Sequence, residues 1–453
     1  MGEFRRLPEE RSSAAGLLLT DAKLAKVPLT VLSSFGQPLV FRIGMRSNMI
    51  SVNAAHNRRA FVARLSALGL RGSLFGGASL RTREALAAVP NPVAAAVTKT
   101  TQPEPDGFFT LGKHQDRWWL LTPDRNAFFS IGLNHIDPAT LRYAENIKLW
   151  REKYGGSTIR WIKESVALNL KSWGFNTVGW VQEVTVRKWR HSRAFTVDEY
   201  RALDMPYCHL LPFTESHQWE RHTVHFDFRS DDWKEWCDYV ARSHCAELAD
   251  DPNLIGYFYS DCPTWIHDRP LSKWRGPIFD PERLRSAAGR KELTQLAESY
   301  YRTTHDAIRR HDKHHLIFGD RYEANAPIAN EVIEAALPYI DVVSFQDFRD
   351  PVNHLHEWHT RTGKPVLLAD AARMKWQTLP GEFTRNEGDW YAKTLAQLFE
   401  NPGCVGFHLC GAYQRNRARR YGLLDEYETP DEENVALITA ANKRIGSRMK
   451  NDF

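Results

Sequence analysis

Eight short apolar segments separated by amphipathic stretches place the strongest constraint on how this 453-residue chain can fold. Nearly continuous apolar runs are typical of parallel strands that are covered on both faces, and helical spacing between them predicts βαβ units. Eight such strands are the number that closes a barrel. An open doubly wound sheet is the alternative, but no GxGxxG follows the first run. We therefore predict an α/β fold, a (β/α)8 TIM barrel with a small N-terminal β-containing region. The predicted strands are 128–133, 177–181, 207–211, 254–259, 316–319, 342–345, 366–369 and 405–409, and the predicted helices are 159–173, 233–248, 281–310, 329–337 and 389–399.

The first hundred residues differ in pattern from the rest of the chain. Segments 27–40 and 41–52 have the composition of strands, and 58–68 has helical spacing. Segment 89–105 is rich in Pro, Ala and Thr, which is typical of a linker. We therefore predict two parts: an N-terminal β-containing region with a linker at residues 1–106, and a catalytic barrel domain at residues 107–453.

Composition and charge exclude several classes of protein. Apolar residues make up 42% of the chain and charged residues 25%, as in ordinary globular proteins. The 60 basic and 55 acidic side chains are interspersed, so no basic patch predicts a nucleic-acid partner. No apolar run reaches the ~18 residues that a membrane span requires. The apolar stretch at 14–19 is too short for a signal-peptide core, which predicts a cytoplasmic protein unless a leader has been removed.

The cysteines and histidines predict no metal site and no disulfide framework. The six cysteines lie far apart without a CxxC pair, so neither a zinc ribbon nor a disulfide-rich scaffold is indicated. No histidine run has a spacing that supplies a full set of metal ligands. We therefore predict a protein without a cofactor, and the sequence leaves its oligomeric state open.

Polar and aromatic side chains cluster where the predicted strands end. In a (β/α)8 barrel the active site lies at the carboxyl ends of the strands, so these residues should meet at one rim. Carboxylates flanked by indoles and amides are typical of a sugar-binding cleft, because carboxyl groups carry glycoside hydrolysis and aromatic faces stack on ligands. The candidates are Asn134, His135, Trp180, Glu183, His217, Trp219, Asp261, Trp265, Arg321, Gln346, Asp347, Asp370, Trp376 and His408.

Several segments resemble the agarase-like glycoside hydrolases of clan A. Residues 107–136 (GFFTLGKHQDRWWLLTPDRNAFFSIGLNHI) are similar to the stretch that leads into the first barrel strand of that family. The other matching segments are 173–178 (WGFNTV), 251–258 (DPNLIGYF), 315–321 (HLIFGDR) and 363–368 (GKPVLL), and together they span most of 107–425 in the family's order. The resemblance implies a glycoside hydrolase that cleaves O-glycosyl bonds in an oligo- or polysaccharide.

The resemblance also implies a pair of catalytic carboxylates, and here the sequence departs from the family. Strand four of the clan ends in Asn-Glu, whereas this chain has Asp261 and Cys262. The nucleophilic Glu of strand seven corresponds most nearly to Asp370. We expect Asp261 to be the acid/base and Asp370 the nucleophile or the water-activating base. In the alternative, Asp261 only orients substrate, and Glu183, Glu215, Asp320 or Asp347 supplies the acid. The shorter Asp side chains leave an inverting outcome open, because inversion needs a wider gap between carboxyl groups.

The remaining candidates are expected to bind substrate. Trp180, Trp219, Trp265 and Trp376 are candidate stacking surfaces, while Glu183, His217 and Asp347 line the same predicted rim. Asn134, His135, Arg321, Gln346 and His408 are candidate contacts to sugar hydroxyls or to an anionic group. The basic run 415–420 follows strand eight, and guanidinium groups bind carboxylate or sulfate oxygens, so an anionic glycan is one predicted substrate.

Two other functions remain open at this stage, because one barrel fold hosts many chemistries. A carbohydrate-binding barrel that has lost the strand-four Glu would bind glycans without turnover. A barrel lyase or isomerase that uses His or Tyr as a base would release an unsaturated or rearranged sugar.

Overall fold

The computed structural model describes residues 107–181, 195–214, 227–261, 265, 281–326, 328–375, 385–411, 413–416 and 421–450. The predicted N-terminal region at 1–106 lies outside these residues. So do six residues that the sequence analysis singled out: Glu183, Glu215, His217, Trp219, Cys262 and Trp376.

A three-stranded antiparallel sheet precedes the barrel and is formed by β1 (Thr110–His114), β2 (Arg117–Leu121) and β3 (Ala127–Phe128). Gln115 and Asp116 connect β1 to β2 and both have positive φ, 47° and 64°. Two consecutive positive-φ residues match the tight turn whose twist suits an antiparallel hairpin.

Eight parallel strands close into a barrel, as predicted. Around the ring the order is β4, β5, β6, β7, β8, β9, β10 and β13, and β13 pairs with β4 to complete the circle. Every predicted strand is confirmed within two residues at each end, except that β8 extends four residues further at its carboxyl end. The barrel strands are β4 (Ser130–Asn134), β5 (Thr177–Trp180), β6 (Tyr207–Leu210), β7 (Leu254–Asp261), β8 (Leu316–Glu323), β9 (Val343–Gln346), β10 (Val366–Ala371) and β13 (Cys404–Leu409), and a short ribbon of β11 (Met374–Lys375) and β12 (Arg385–Asn386) lies between the last two in sequence.

The antiparallel sheet covers the amino-terminal end of the barrel. Phe109, Leu120 and Phe128 share one buried apolar cluster with inward residues of the barrel strands, including Ile255 and Phe318. At the same end, the backbone N–H of Trp118 donates to the carbonyl of Pro402, just before β13, over 2.7 Å. The barrel interior is therefore packed with apolar side chains below the rim.

Helices surround the described part of the barrel and cover the outer faces of the strands. The five predicted segments are confirmed as helical, and the structure has further helices outside them, among them α11. No helix among the described residues is long and apolar enough to cross a bilayer. The helices are α1 (Ile147–Tyr154), α2 (Thr158–Trp161), α3 (Ala167–Ser172), α4 (Val197–Leu203), α5 (Asp231–Leu248), α6 (Pro281–Leu284), α7 (Ala287–His311), α8 (Asn330–Ala336), α9 (Pro351–Thr362), α10 (Gly388–Glu400) and α11 (Glu432–Met449), with a π-helical turn at Ile162–Val166 joining α2 to α3.

Two glycines on the first two barrel strands make room for the imidazole of His408. A Cβ on Gly132 would lie 2.4 Å from His408 Cδ2, and a Cβ on Gly179 would lie 2.5 Å from His408 Nδ1. The ring is fully buried, and its Nε2 lies 2.8 Å from Ser130 Oγ. Burial and the charge of Arg321 lower the pKa of His408 to about 3, so the imidazole is neutral at physiological pH.

We expect Gly179→Ala to destabilise the barrel by about 1–3 kcal/mol, the usual cost of adding a methyl group to a filled core. The new methyl would meet both His408 Nδ1 and Asn134 Oδ1, the latter at 2.4 Å. Urea unfolding measures the change. Gly446→Ala is the matched control, because nothing lies within 4 Å of its added Cβ. Equal stability of the two variants would contradict the close packing around His408.

Candidate functional site

Asp370 lies at the carboxyl end of β10, buried at the rim of the barrel. Asn134, the last residue of β4, donates from Nδ2 to Asp370 Oδ1 over 2.8 Å. The same nitrogen donates to the carbonyl of Ala369 over 2.8 Å, which fixes the amide against β10. One strand-end side chain therefore orients the carboxylate of another, across the β13 strand that lies between β4 and β10 in the ring.

His135 directly follows β4 and has a left-handed backbone, with φ of 63°. A positive φ is uncommon outside glycine, and the surrounding structure must hold the residue there. Its backbone N–H donates to the carbonyl of Trp180 over 2.8 Å. This conformation places the imidazole Nε2 at 3.8 Å from Asp370 Oδ1 and 3.2 Å from Cys410 Sγ.

Cys410 is a site residue that the sequence analysis did not identify. It follows β13, is fully buried, and donates its backbone N–H to the carbonyl of Ala371 over 2.9 Å. The ligand atoms of His135, Asp370 and Cys410 all lie within 4.8 Å of one another, so this trio is the set of described residues able to hold a metal ion. They lie at the ends of strands one, seven and eight, and strand one becomes the neighbour of strand eight only when the ring closes. Cys410 could have been found from the barrel prediction, by comparing the residues that follow strand eight with those that end its neighbours.

Arg321 and Trp180 form a buried pair beside this trio. The guanidinium carbon lies 3.2 Å from the centroid of the Trp180 ring, and Nη1 reaches the carbonyl of Ala369 at 3.4 Å. A guanidinium over an indole face is a favourable cation–π arrangement. Both side chains are nearly fully buried, so the Trp180 ring face is already occupied by Arg321.

Asp261 is the last residue of β7, where its backbone pairs in register with Arg321 of β8. Since all barrel strands run parallel, the ends of β7 and β10 lie on the same rim. The two strand ends thus share one rim, and the catalytic roles of Asp261 and Asp370 stay predictions.

Two of the alternative carboxylates, Asp320 and Asp347, accept hydrogen bonds from neighbouring groups. Asp320 Oδ2 accepts from Trp265 Nε1 over 3.1 Å and from the Tyr301 hydroxyl over 2.8 Å. Asp347 Oδ1 accepts from the backbone N–H of Arg349 over 2.8 Å. These contacts give both carboxylates a structural role.

Burial corrects the expected roles of several predicted contacts. Trp265 is fully buried against Phe228, Tyr300 and Tyr301, so it is a core residue and offers no open face to a sugar. His408 is likewise enclosed by the strands, which excludes direct contact with substrate at the rim. Gln346 ends β9 and is buried.

The described part of the basic run is ion-paired. Arg415 contacts the carboxylate of Glu426. Arg373, beyond β10, lies 3.3 Å from Glu387. These pairs compete with an anionic ligand for both guanidinium groups.

The sequence matches no protein-family model and no curated protein. Solved structures are similar in fold. An exo-β-agarase superposes with a TM-score of 0.58 at 14% identity, covering 77% of this chain and 66% of the agarase. The agarase AgWH50C gives 0.56 at 14% identity over 88% of this chain and 70% of its own, and BpGH50 gives 0.55 at 16% identity over 78% and 85%. This chain thus spans just under two thirds of the exo-β-agarase, and at this identity the likeness shows a shared barrel fold.

Proposed function

We propose that this protein is a glycoside hydrolase that cleaves an O-glycosidic bond in an oligo- or polysaccharide, with agarase-like substrates the first to test. The observation that carries the proposal is the buried Asp370 carboxylate at the end of the seventh barrel strand, held by Asn134 Nδ2 at 2.8 Å. The agarase folds among the similar structures support the same chemistry. Residues 107–453 form the proposed catalytic domain.

The proposed mechanism uses two carboxyl groups on one rim. Asp261 protonates the glycosidic oxygen as the bond to the leaving sugar breaks. Asp370 either attacks the anomeric carbon, giving a glycosyl-enzyme that water then hydrolyses with the Asp261 carboxylate as base, or removes a proton from the water that attacks the anomeric carbon directly. The hydrogen bond from Asn134 keeps one Asp370 oxygen fixed and leaves the other to the reaction. This preorganisation reduces the reorientation needed when charge develops at the sugar.

Neighbouring side chains are proposed to position the sugar. His135 lies within 3.8 Å of the Asp370 carboxylate, close enough to share a hydroxyl of the bound sugar ring. Arg321 places a positive charge at the carboxyl end of β8, next to Asp261 in register. Trp180 was predicted as a stacking surface, but Arg321 covers its ring face and the side chain is buried. The remaining predicted contacts stay predictions: Glu183, His217, Trp219, Gln346, Asp347 and Trp376.

A glycan panel tests the proposal. Purified protein is incubated with neutral and anionic polysaccharides and their oligosaccharides, and new reducing ends are measured. Hydrolysis of any member supports the proposal. Binding without turnover identifies a carbohydrate-binding barrel instead, and an unsaturated product with new ultraviolet absorbance identifies a lyase.

Asp261→Asn is expected to lower kcat at least about 100-fold, the lower range for loss of a general acid. The amide has nearly the same shape as the carboxyl group but cannot donate the proton. Initial rates on the best panel substrate measure the loss. Cys262→Ser is the matched control, since it changes the adjacent residue that aligns with the clan's acid. Near-wild-type turnover of Asp261→Asn would remove Asp261 from the mechanism.

A further inference from the structure

We propose that His135, Asp370 and Cys410 form a binding site for a thiophilic divalent cation of the Zn²⁺ class. The three side chains offer an imidazole nitrogen, a carboxylate oxygen and a sulfur, and these atoms lie within 4.8 Å of one another. All three side chains are buried at the rim. The site is a second property of the rim and does not require the proposed hydrolysis.

The distances are close to those of a coordination sphere. Zinc binds sulfur at about 2.3 Å and nitrogen or oxygen at about 2.0–2.2 Å, so tetrahedral ligands lie roughly 3.3–3.6 Å apart. Here Nε2 of His135 lies 3.2 Å from Sγ of Cys410 and 3.8 Å from Oδ1 of Asp370. Small rotations of the Asp370 and Cys410 side chains would bring all three atoms to one ion.

The ligand types select the cation. A thiolate and an imidazole favour Zn²⁺ and its neighbours over Mg²⁺ and Ca²⁺, which prefer oxygen ligands. Coordination requires the thiolate, so binding displaces the Cys410 proton to solvent. Three protein ligands leave a fourth position for water, as in zinc sites that remain open.

Supporting contacts hold two of the ligands in place. Asn134 Nδ2 donates to Asp370 Oδ1, and such hydrogen bonds orient metal-bound carboxylates. The left-handed backbone of His135 fixes the direction of the imidazole. The Tyr421 hydroxyl lies 3.9 Å from Cys410 Sγ.

Asp370 belongs to both proposals, so a bound ion and hydrolysis exclude each other at this carboxylate. Direct measurement of metal binding separates the metal-site proposal from the proposed function. Cobalt binding together with no hydrolysis of any panel glycan by the metal-free protein overturns the proposed function alone. Hydrolysis without binding overturns the metal site alone.

Cobalt titration of the full-length, chelator-treated protein tests the site. We expect one equivalent of Co²⁺ to bind and to give thiolate charge-transfer and tetrahedral d–d absorption bands, which Zn²⁺ then abolishes by displacement. Cys410→Ser is expected to lose the charge-transfer band and to weaken binding at least about 10-fold. Cys404→Ser is the matched control, because that buried cysteine lies at the opposite end of the same strand.

A second variant keeps the test decisive if Cys410→Ser does not fold. Asp370→Asn retains the sulfur and nitrogen ligands, so it should keep the charge-transfer band but require about 10-fold more Co²⁺ to saturate. An unchanged band in Cys410→Ser, or no band in the wild type, overturns the proposal. So does unchanged affinity in Asp370→Asn.

Discussion

Asp370→Asn is expected to lower kcat by about 10²- to 10⁴-fold while leaving the fold intact, because the variant removes the proposed catalytic base or nucleophile and little else. The amide oxygen of the new side chain can still accept from Asn134 Nδ2, which now donates to Asp370 Oδ1 over 2.8 Å. Initial rates on the best substrate of the glycan panel measure the loss, and thermal unfolding verifies that stability is retained.

The result distinguishes Asp370 from the other rim carboxylates. A variant that keeps more than about a tenth of wild-type kcat would contradict its role, given that acid–base groups usually contribute at least about 100-fold. Asp347→Asn then becomes the informative comparison. Asp347 directly follows β9, the strand that pairs with β10, and was an alternative in the sequence analysis. A large loss there, with Asp370→Asn active, would transfer the assignment to β9.

Asp312→Asn is expected to cost about 3 kcal/mol of unfolding free energy at neutral pH without altering kcat. Asp312 follows α7 and is buried. Its Oδ2 accepts from the Tyr257 hydroxyl over 2.6 Å and lies 2.6 Å from His315 Nδ1. The backbone N–H of His314 donates to Oδ1 over 2.8 Å. Asp312 and the two histidines precede β8, at the end of the barrel opposite the rim, so only stability should respond.

The pH dependence of this variant gives a second measurement. Burial alone would raise the pKa of Asp312, but the hydrogen bonds and charge of His315 and the Tyr257 hydroxyl outweigh it and lower the pKa to about 2. An unfolded Asp titrates near 3.9. Because the folded pKa is the lower one, the stabilisation is complete above about pH 4 and is lost as pH falls toward 2. The difference between wild type and variant should shrink across that window.

A surface carboxylate provides the control for this prediction. Asp238 lies on α5 with its side chain about one third exposed, 2.9 Å from Arg310 and 3.2 Å from His311. Ion pairs open to solvent contribute about 0–1 kcal/mol, so Asp238→Asn should cost much less than Asp312→Asn at neutral pH. Comparable losses in both variants would show that burial of the Asp312 cluster is unimportant.

The barrel could be predicted because its signal is local and repeated. Segments such as 366–369 and 405–409 are apolar on both faces, and this pattern distinguishes buried parallel strands from half-exposed ones. Helix α11 was not predicted because few large apolar residues mark it, and its buried positions include Ile438, Ala441 and Ile445. Packing against α10 stabilises α11, and this contact is not visible in the sequence pattern.

The site could be predicted only in part. Strand ends placed Asn134, His135 and Asp370 at one rim, where the structure brings them together. Burial could not be derived from the same pattern, so Trp265 was expected at the cleft but lies in the core. Cys410 was not predicted because His135 lies 275 residues away in the chain. The two residues come together only when the ring closes.

The antiparallel sheet formed by β1, β2 and β3 determines the direction from which Asp370 can be approached. Phe109, Leu120 and Phe128 fill the amino-terminal end together with inward strand residues. Among the described residues, this apolar layer contains no polar channel along the barrel axis. In the proposed hydrolysis, the glycan, its products and water therefore enter and leave through the opposite opening of the barrel, and a polymer does not thread through the ring.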